Sequence, residues 1–141
     1  VSSHLIRTAR PDDAAPIIEL WRASGAVPSR TDDEESIRAL IRHDPEALLV
    51  AEVEGRLIGS LIAGFDGWRG SIFRAAVLPE YRRSGIGTAL VTEGERNLRE
   101  RGARRITLYA IRSEPGATEF WSALGFAEDG DRTSRFVKNL A

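Results

Sequence analysis

The order of elements read along this chain predicts the α/β class, in the form of a mixed, largely antiparallel sheet with helices on both faces. Three observations predict it. Residues 47–77 hold three strand-like apolar segments separated by turn residues, as consecutive antiparallel strands do. Two helical patterns precede them. A helix, a strand and another helix follow, and a strand–helix–strand crossover adds parallel pairing to an antiparallel sheet. With 141 residues, 42% of them hydrophobic, the chain can bury one core in one domain.

Each element has its own local signal. Residues 4–9 read as a short strand. Asp13 reads as the N-cap of a first helix, with Pro16 in the first turn, where its missing N–H does no harm. Ile17, Leu20, Trp21 and Ser24 keep helical spacing, and Gly25 can end the helix. Residues 26–30 are loop. Thr31 with Glu34 resembles a capping box, and Ile37, Leu40 and Ile41 give a second helix its buried stripe. That helix stops before Pro45.

Residues 47–53 and 56–65 read as strands joined at Glu54-Gly55, a tight hairpin signal. Asp66-Gly67 turns the chain into a strand over 71–77. A helix over 85–101 puts Ile86, Leu90 and Leu98 on one face, with Gly102 as its C′ residue. Residues 105–111 are the next strand. Ser113 can cap a last helix with Pro115 in its first turn, Ala117, Phe120, Trp121 and Leu124 on its apolar side, and Gly125 at its end. Residues 126–128 and 134–139 are two weaker strands around a 129–131 turn. The predicted order is β-α-α-β-β-β-α-β-α-β-β, without repeat or linker, so residues 1–141 read as a single domain.

Composition excludes several function classes. The net charge of −1 gives no basic field for nucleic acid. Cysteine is absent, which removes disulfides, thiolate metal sites and a cysteine nucleophile. His4 and His43 are the only imidazoles and lie far apart in sequence, so no metal site is expected. No apolar run approaches the ~20 residues of a membrane helix, and no signal-peptide pattern opens the chain. The expectation is a soluble, cytoplasmic protein.

The most informative segment runs from Ala75 to Leu90. An apolar strand containing Ala76, Val77 and Leu78 meets Pro79. A basic loop follows, with Arg82, Arg83, Ser84, Gly85, Ile86, Gly87 and Thr88, and then an amphipathic helix starts. The first amides of a helix lack internal partners and the dipole favours negative charge, so this spot suits an anion. Gly85 and Gly87 let a phosphate approach the backbone, while Arg82 and Arg83 can add charge-assisted hydrogen bonds. A Walker loop is excluded, because no lysine follows either glycine and Lys138 is the only lysine. The dinucleotide fingerprint fits poorly, since Leu90 stands where a third small residue belongs. The pattern R/Q-x-x-G-x-G/A is met in full by Arg82, Gly85 and Gly87.

That pattern resembles the coenzyme A pyrophosphate loop of the GNAT superfamily of acyl-CoA-dependent N-acyltransferases. The element order matches that fold over roughly residues 5–140. Glu114, Ala117, Phe120, Trp121, Leu124, Gly125 and Phe126 resemble the family segment N-x-x-A-x-x-[LF]-Y-x-x-L-G-F, which closes the acyl-CoA site. Residues 66–70, Asp-Gly-Trp-Arg-Gly, resemble a turn of one bacterial branch.

The resemblance implies acetyl transfer from acetyl-CoA, the co-substrate, to a primary amine by direct attack, with no covalent enzyme intermediate. It implies that the loop from Arg82 to Thr88 holds the pyrophosphate, with the Thr88 hydroxyl assisting. It also implies that the strand at Ala76, Val77 and Leu78 splays from its neighbour to receive the pantetheine arm, with the Val77 amide polarising the thioester carbonyl. Tight packing under a helix is the other account of Ala75-Ala76, and Arg83 also fits a solvated surface position.

Acid–base residues depart from the family. The tyrosine that protonates the leaving thiolate aligns with Trp121, whose indole N–H is no useful acid; packing explains Trp121 well. The motif asparagine is replaced by Glu114, which also fits a helix-start carboxylate. Tyr109 stands where some relatives carry a general-base glutamate, and is the candidate catalytic acid or hydrogen-bond donor; a half-buried strand tyrosine is the other reading. Glu52 and Asp66 are candidate bases through water, or plain edge and turn residues.

By analogy the 24–30 loop and the 129–133 turn flank the amine site. Asp32, Asp33, Glu34 and Glu35 near the first loop would favour cationic amines if they form a rim; they equally suit an acid-rich helix start. The acceptor is a small molecule or a protein amino group. Exposed strand edges at the C-terminal hairpin could pair two copies into a homodimer. A non-catalytic acyl-CoA-binding or sensing module is the alternative, motivated by the missing tyrosine.

Overall fold

The computed structural model describes residues 4–130 and 133–140. The chain divides into two compact units, Val1–Leu108 and Tyr109–Ala141. In the first, five strands form one sheet in the order β1-β2-β3-β4-β5. They are β1 (Leu5–Thr8), β2 (Leu48–Val53), β3 (Arg56–Phe65), β4 (Gly70–Val77) and β5 (Ile106–Leu108). The first four pair antiparallel in sequence, and β5 lies parallel to β4. Helices α1 (Ala14–Ser24), α2 (Glu34–His43) and α3 (Ile86–Glu100) complete this unit.

Strand alternation decides which helix covers which face. A Cβ at Gly94 of α3 would lie 2.5 Å from Leu61 Cδ2 and 3.2 Å from Ala63 Cβ. A Cβ at Gly59 would lie 3.1 Å from Leu90 Cδ1 and 3.3 Å from Ile86 Cγ2. The odd-numbered positions 59, 61 and 63 therefore meet α3, and the glycines let helix and sheet approach closely. Ser60 points the other way and accepts the Trp21 indole N–H of α1 at 2.9 Å. Helices thus cover both faces, as the element order predicts. Ile17, Leu48, Ile58, Leu61, Leu90 and Leu98 are fully buried between the layers, each burial stabilising by about 1.5–3 kcal/mol relative to exposure.

Most boundaries follow the sequence signals; three do not. The N-cap of α2 is Asp33, whose carboxylate accepts the Ser36 amide at 2.7 Å, rather than Thr31. Thr31 sits in the preceding turn, its hydroxyl 3.2 Å from Ser29 Oγ. β5 is three residues long, shorter than the expected 105–111. Its ladder with β4 ends at Ile72–Leu108, just before a register shift in β4 opposite Ser60–Ile62. A bulge bends its strand and so carries β4 away from a straight neighbour.

In the second unit the helix is α4 (Ala117–Ala123), capped by Gly116 at φ 79° rather than by Ser113. Trp121 packs edge-to-face on Phe120 and Phe126, with ring centroids 4.9 and 5.3 Å apart. Gly125 ends the helix at φ 93°. The two strands expected at 126–128 and 134–139 do not form. Alternating side chains make a strand only beside a hydrogen-bonded neighbour, and the sheet ends at β5. Residue 131 of the expected turn lies outside the described residues.

Candidate active site

The site grows from the way β4 ends. Leu78 is buried and donates its amide to Ile58 O at 2.9 Å, while its own carbonyl accepts from Tyr81 N at 2.9 Å. Both backbone groups of Leu78 are therefore used within the protein, and its side chain belongs to the core. Since Leu78 N–H points toward β3, alternation turns the Val77 amide to the opposite edge. On that edge β4 pairs with β5 only through Gly70, Ser71 and Ile72. Beyond Ile72, among the described residues, the edge carrying Ala76 and Val77 has no strand partner.

A short 3-10 turn, Pro79–Tyr81, leads into the basic loop. Ser84 donates its hydroxyl to the Tyr81 carbonyl. Arg83 is exposed and has a positive φ of 65°. Gly85, at φ 87°, is the N-cap of α3 and has no side chain with which to cap. The first helical bond is Ala89 N–H to Gly85 O at 3.0 Å, so the amides of Ile86, Gly87 and Thr88 precede the first intrahelical donor. A left-handed Gly85 before a right-handed Ile86 turns successive N–H groups to one side. Ile86 is buried and anchors this end; Thr88 is exposed.

Arg82 is placed differently from the sequence expectation of an anion contact. Its Nε–H donates to Val77 O at 3.1 Å and its Nη2–H to Ser24 O at 2.7 Å. The guanidinium links the end of β4 and the end of α1.

A second arginine was missed in the sequence. Arg74 lies in the β4 bulge with φ 51°. It donates to both oxygens of Asp32, Nη2 at 2.6 Å and Nε at 3.2 Å, and to Val27 O at 2.9 Å. Its carbonyl accepts from Ser60 Oγ at 2.8 Å. The available signal was a charged residue inside an otherwise apolar strand. The acidic run beside it is internally engaged: Asp32 meets Arg74, Asp33 caps α2, and Glu34 pairs with Arg38 at 2.7 Å. The helix-start reading accounts for Asp33 and Glu34 better than a rim does, while Asp32 precedes the helix and is held by Arg74.

The candidate bases are similarly engaged. Glu52 accepts from Arg7 Nε at 2.9 Å. Asp66 accepts the Arg69 and Trp68 amides, both at 2.8 Å, and these hold its carboxyl below the usual range. Among the described residues no group of three or more His, Asp or Glu could hold a metal ion. No helix there is long and apolar enough to cross a membrane.

In the second unit Tyr109 is exposed, with the Arg135 guanidinium 5.4 Å from its ring centroid. Trp121 is half-buried in its aromatic cluster, beside half-buried Phe120 and Ala117. Glu114 is exposed, and its carbonyl accepts the Ala117 amide at 3.2 Å.

Comparison with known proteins assigns the family. The model of the Acetyltransferase (GNAT) family matches residues 14–126. An acetyltransferase of Photorhabdus laumondii subsp. laumondii is 40% identical over 135 residues, which cover 96% of this chain and 94% of that protein. An acetyltransferase of Sodalis glossinidius is 40% identical over 103 residues, 73% of this chain and 72% of that protein. Among solved structures, the paia N-acetyltransferase of Thermoplasma acidophilum in complex with coenzyme A has a TM-score of 0.81 at 23% identity, over 92% of this chain and 94% of that one. A GNAT family acetyltransferase of Brucella melitensis in complex with acetyl-CoA has a TM-score of 0.67 at 29% identity, over 91% of this chain and 85% of that one. The chain belongs to the GNAT acetyltransferase family.

Proposed function

We propose that the chain moves an acetyl group from acetyl-CoA to a primary amine by direct attack. The observation that carries this reading is the N-terminus of α3 at Gly85, without a side-chain cap, a short turn and loop after a β4 edge that has no strand partner beyond Ile72 among the described residues. An anion and an extended chain are the two things such a surface can hold, and acetyl-CoA is both. Family membership and the CoA-bound relatives support the choice.

In this reading the amides of Ile86, Gly87 and Thr88 receive the pyrophosphate, with the Thr88 hydroxyl and exposed Arg83 adding contacts. Ser84 and Gly85 shape the loop. The Val77 amide, on the open edge beside Ala76, polarises the thioester carbonyl. The neutral amine attacks that carbon and the C–N bond forms; the attacking nitrogen gives up one proton to solvent water, the C–S bond breaks, and the thiolate leaves with a proton from an acid. Tyr109 is the proposed donor of that proton. Glu114, Ala117, Phe120 and Trp121 are assigned to the cofactor through the family segment that they resemble. The catalytic domain is taken as residues 1–141, and the family match spans both units.

The test is acetyl-CoA with spermidine, phenethylamine, an aminoglycoside and a peptide with a free α-amine, read as CoA release. Acetyl-CoA should also raise the melting temperature by binding the folded state. A shift without turnover of any amine points to the acyl-CoA-binding module instead. No shift with acetyl-CoA, beside a clear shift with ATP or NAD, overturns the cofactor assignment.

A further inference from the structure

Two arginines hold the α1–α2 connection from the β4 side. Arg82 binds its start, at Ser24 O. Arg74 binds its middle and end, at Val27 O and both oxygens of Asp32. The Arg74–Asp32 pair is largely shielded, with side-chain exposures of 21% and 15%. A two-point guanidinium–carboxylate contact under such shielding fixes geometry in a way an exposed pair does not. The guanidinium also lies over the Trp21 ring, 5.3 Å from its centroid.

The backbone makes the choice of arginine informative. At φ 51° a non-glycine residue is strained, and glycine or asparagine would fit with less strain. Neither carries a guanidinium. The strained conformation is held by the Ser60 hydroxyl on the Arg74 carbonyl, and Ser60 is held by Trp21. Ser60 is fully buried and Trp21 nearly so. The strain therefore sits where a side chain is aimed out of a bulge at a loop 42 residues earlier in sequence.

Resting on the acetyltransferase reading above, we propose that Arg74 and Asp32 form a clamp that positions the acceptor-side wall. The clamp ties the 25–33 loop to the strand whose far edge is assigned to the thioester, so that loop and strand move as one piece. Arg74 is a positioning residue, since it acts through the loop. Cutting the clamp should weaken use of the amine and leave acetyl-CoA binding in place.

The experiment uses the full chain as wild type, Asp32→Asn, Arg74→Lys and the double charge swap Asp32→Arg with Arg74→Asp. Amide hydrogen exchange is the first readout. Residues 25–33 should exchange about tenfold or more faster in Asp32→Asn, as a locally released segment does, while residues 86–98 keep their protection. The charge swap should recover part of the protection lost in Asp32→Asn. Steady-state kinetics with the same four amines is the second readout. KM for whichever amine the wild type acetylates should rise about tenfold in Asp32→Asn, with KM for acetyl-CoA changed less than about twofold. Unchanged exchange over 25–33 in both single variants overturns the clamp. So does a rise in acetyl-CoA KM with no change in amine KM. Accelerated exchange in Asp32→Asn, alongside a wild type that acetylates none of the amines, upholds the clamp and overturns the acetyltransferase reading.

Discussion

The Ser60 hydroxyl donates to the Arg74 carbonyl at 2.8 Å from within the buried face of β3. Because Ser60 also accepts the Trp21 indole N–H at 2.9 Å, a polar chain crosses from α1 through β3 to the bulge of β4. Ser60→Ala leaves a buried donor and a carbonyl acceptor without their partner. Unsatisfied buried groups cost about 1–3 kcal/mol each, so a loss of about 2–3 kcal/mol in urea unfolding is expected. A change below about 0.5 kcal/mol, the range of an ordinary surface substitution, would show that the relay does not hold the bulge.

This relay also marks where sequence reading ends. The glycine loop, α3 and the β2–β3 hairpin were legible because their signals are local: turn residues at fixed offsets, and apolar side chains at helical or strand period. Arg56–Phe65 forms over the expected residues. Trp21 and Ser60 stand 39 residues apart and Arg74 and Asp32 stand 42 apart. No period links such pairs, and a bulge whose left-handed residue is arginine gives no glycine to announce it. Arg82 illustrates the same limit. Its place in the motif was readable, whereas its bond to Ser24 O depends on where α1 ends in space. The expected strand at 134–139 failed for the complementary reason, since alternation specifies two faces and no neighbour.

Gly87 tests the phosphate cradle. It lies in the first turn of α3 without a positive φ, so the backbone there suits a residue with a side chain. Gly85, at φ 87°, offers no such clean test. Gly87→Asp sets a side chain and a negative charge against the amides assigned to the pyrophosphate. CoA affinity should fall by at least ~2 kcal/mol, about thirtyfold, with the melting temperature of the free protein nearly unchanged. Calorimetric titration showing wild-type affinity in a folded variant would remove the loop from the cofactor site.

Gly94 tests how closely α3 must sit. An alanine there gains about 1 kcal/mol of helix propensity, yet its Cβ meets Leu61 Cδ2 at 2.5 Å and Ala63 Cβ at 3.2 Å. Leu61 is fully buried and has little room to yield. Overpacking of this kind costs about 1–3 kcal/mol, so Gly94→Ala should be neutral to destabilising despite the better helix former. A stabilised variant in thermal unfolding would mean the interface is looser than the distances indicate.

Asp13 gives the fold an acid limit. The Arg7 guanidinium, at 2.8 and 3.1 Å, holds the Asp13 carboxyl below the usual range, and the Arg10 amide at 2.7 Å adds to this against the opposing effect of burial. A carboxylate with a depressed folded pKa stabilises the fold fully above its unfolded value, near ~4, and that contribution is lost as pH falls through the folded value. Wild type should therefore exceed Asp13→Asn by about 1–3 kcal/mol at pH 6. The gap should close progressively below about pH 4. A gap of constant size from pH 6 to pH 2 in denaturant titrations would assign the stabilisation to something other than this ionised pair.

Tyr109 carries the proton assignment. Trp121, in the motif position of the usual tyrosine, is packed edge-to-face between Phe120 and Phe126, and an indole N–H donates hydrogen bonds without serving as an acid at neutral pH. Tyr109 follows β5 directly in the chain, and the residue is 61% exposed. An exposed phenol can exchange its proton with water between turnovers, as a reusable acid must. Tyr109→Phe removes the hydroxyl and keeps the ring that Arg135 faces. General acid assistance is worth about 10²–10⁴-fold, so turnover should fall by that order while acetyl-CoA affinity stays within about twofold. The loss should appear in kcat and kcat/KM together, because the bond to the leaving thiolate exists only in the transition state. Full activity in Tyr109→Phe would reject the assignment and leave water to protonate the thiolate. In that case Trp121→Tyr becomes the informative variant. A gain in turnover there would show that the motif position still faces the leaving group and lacks only its acid.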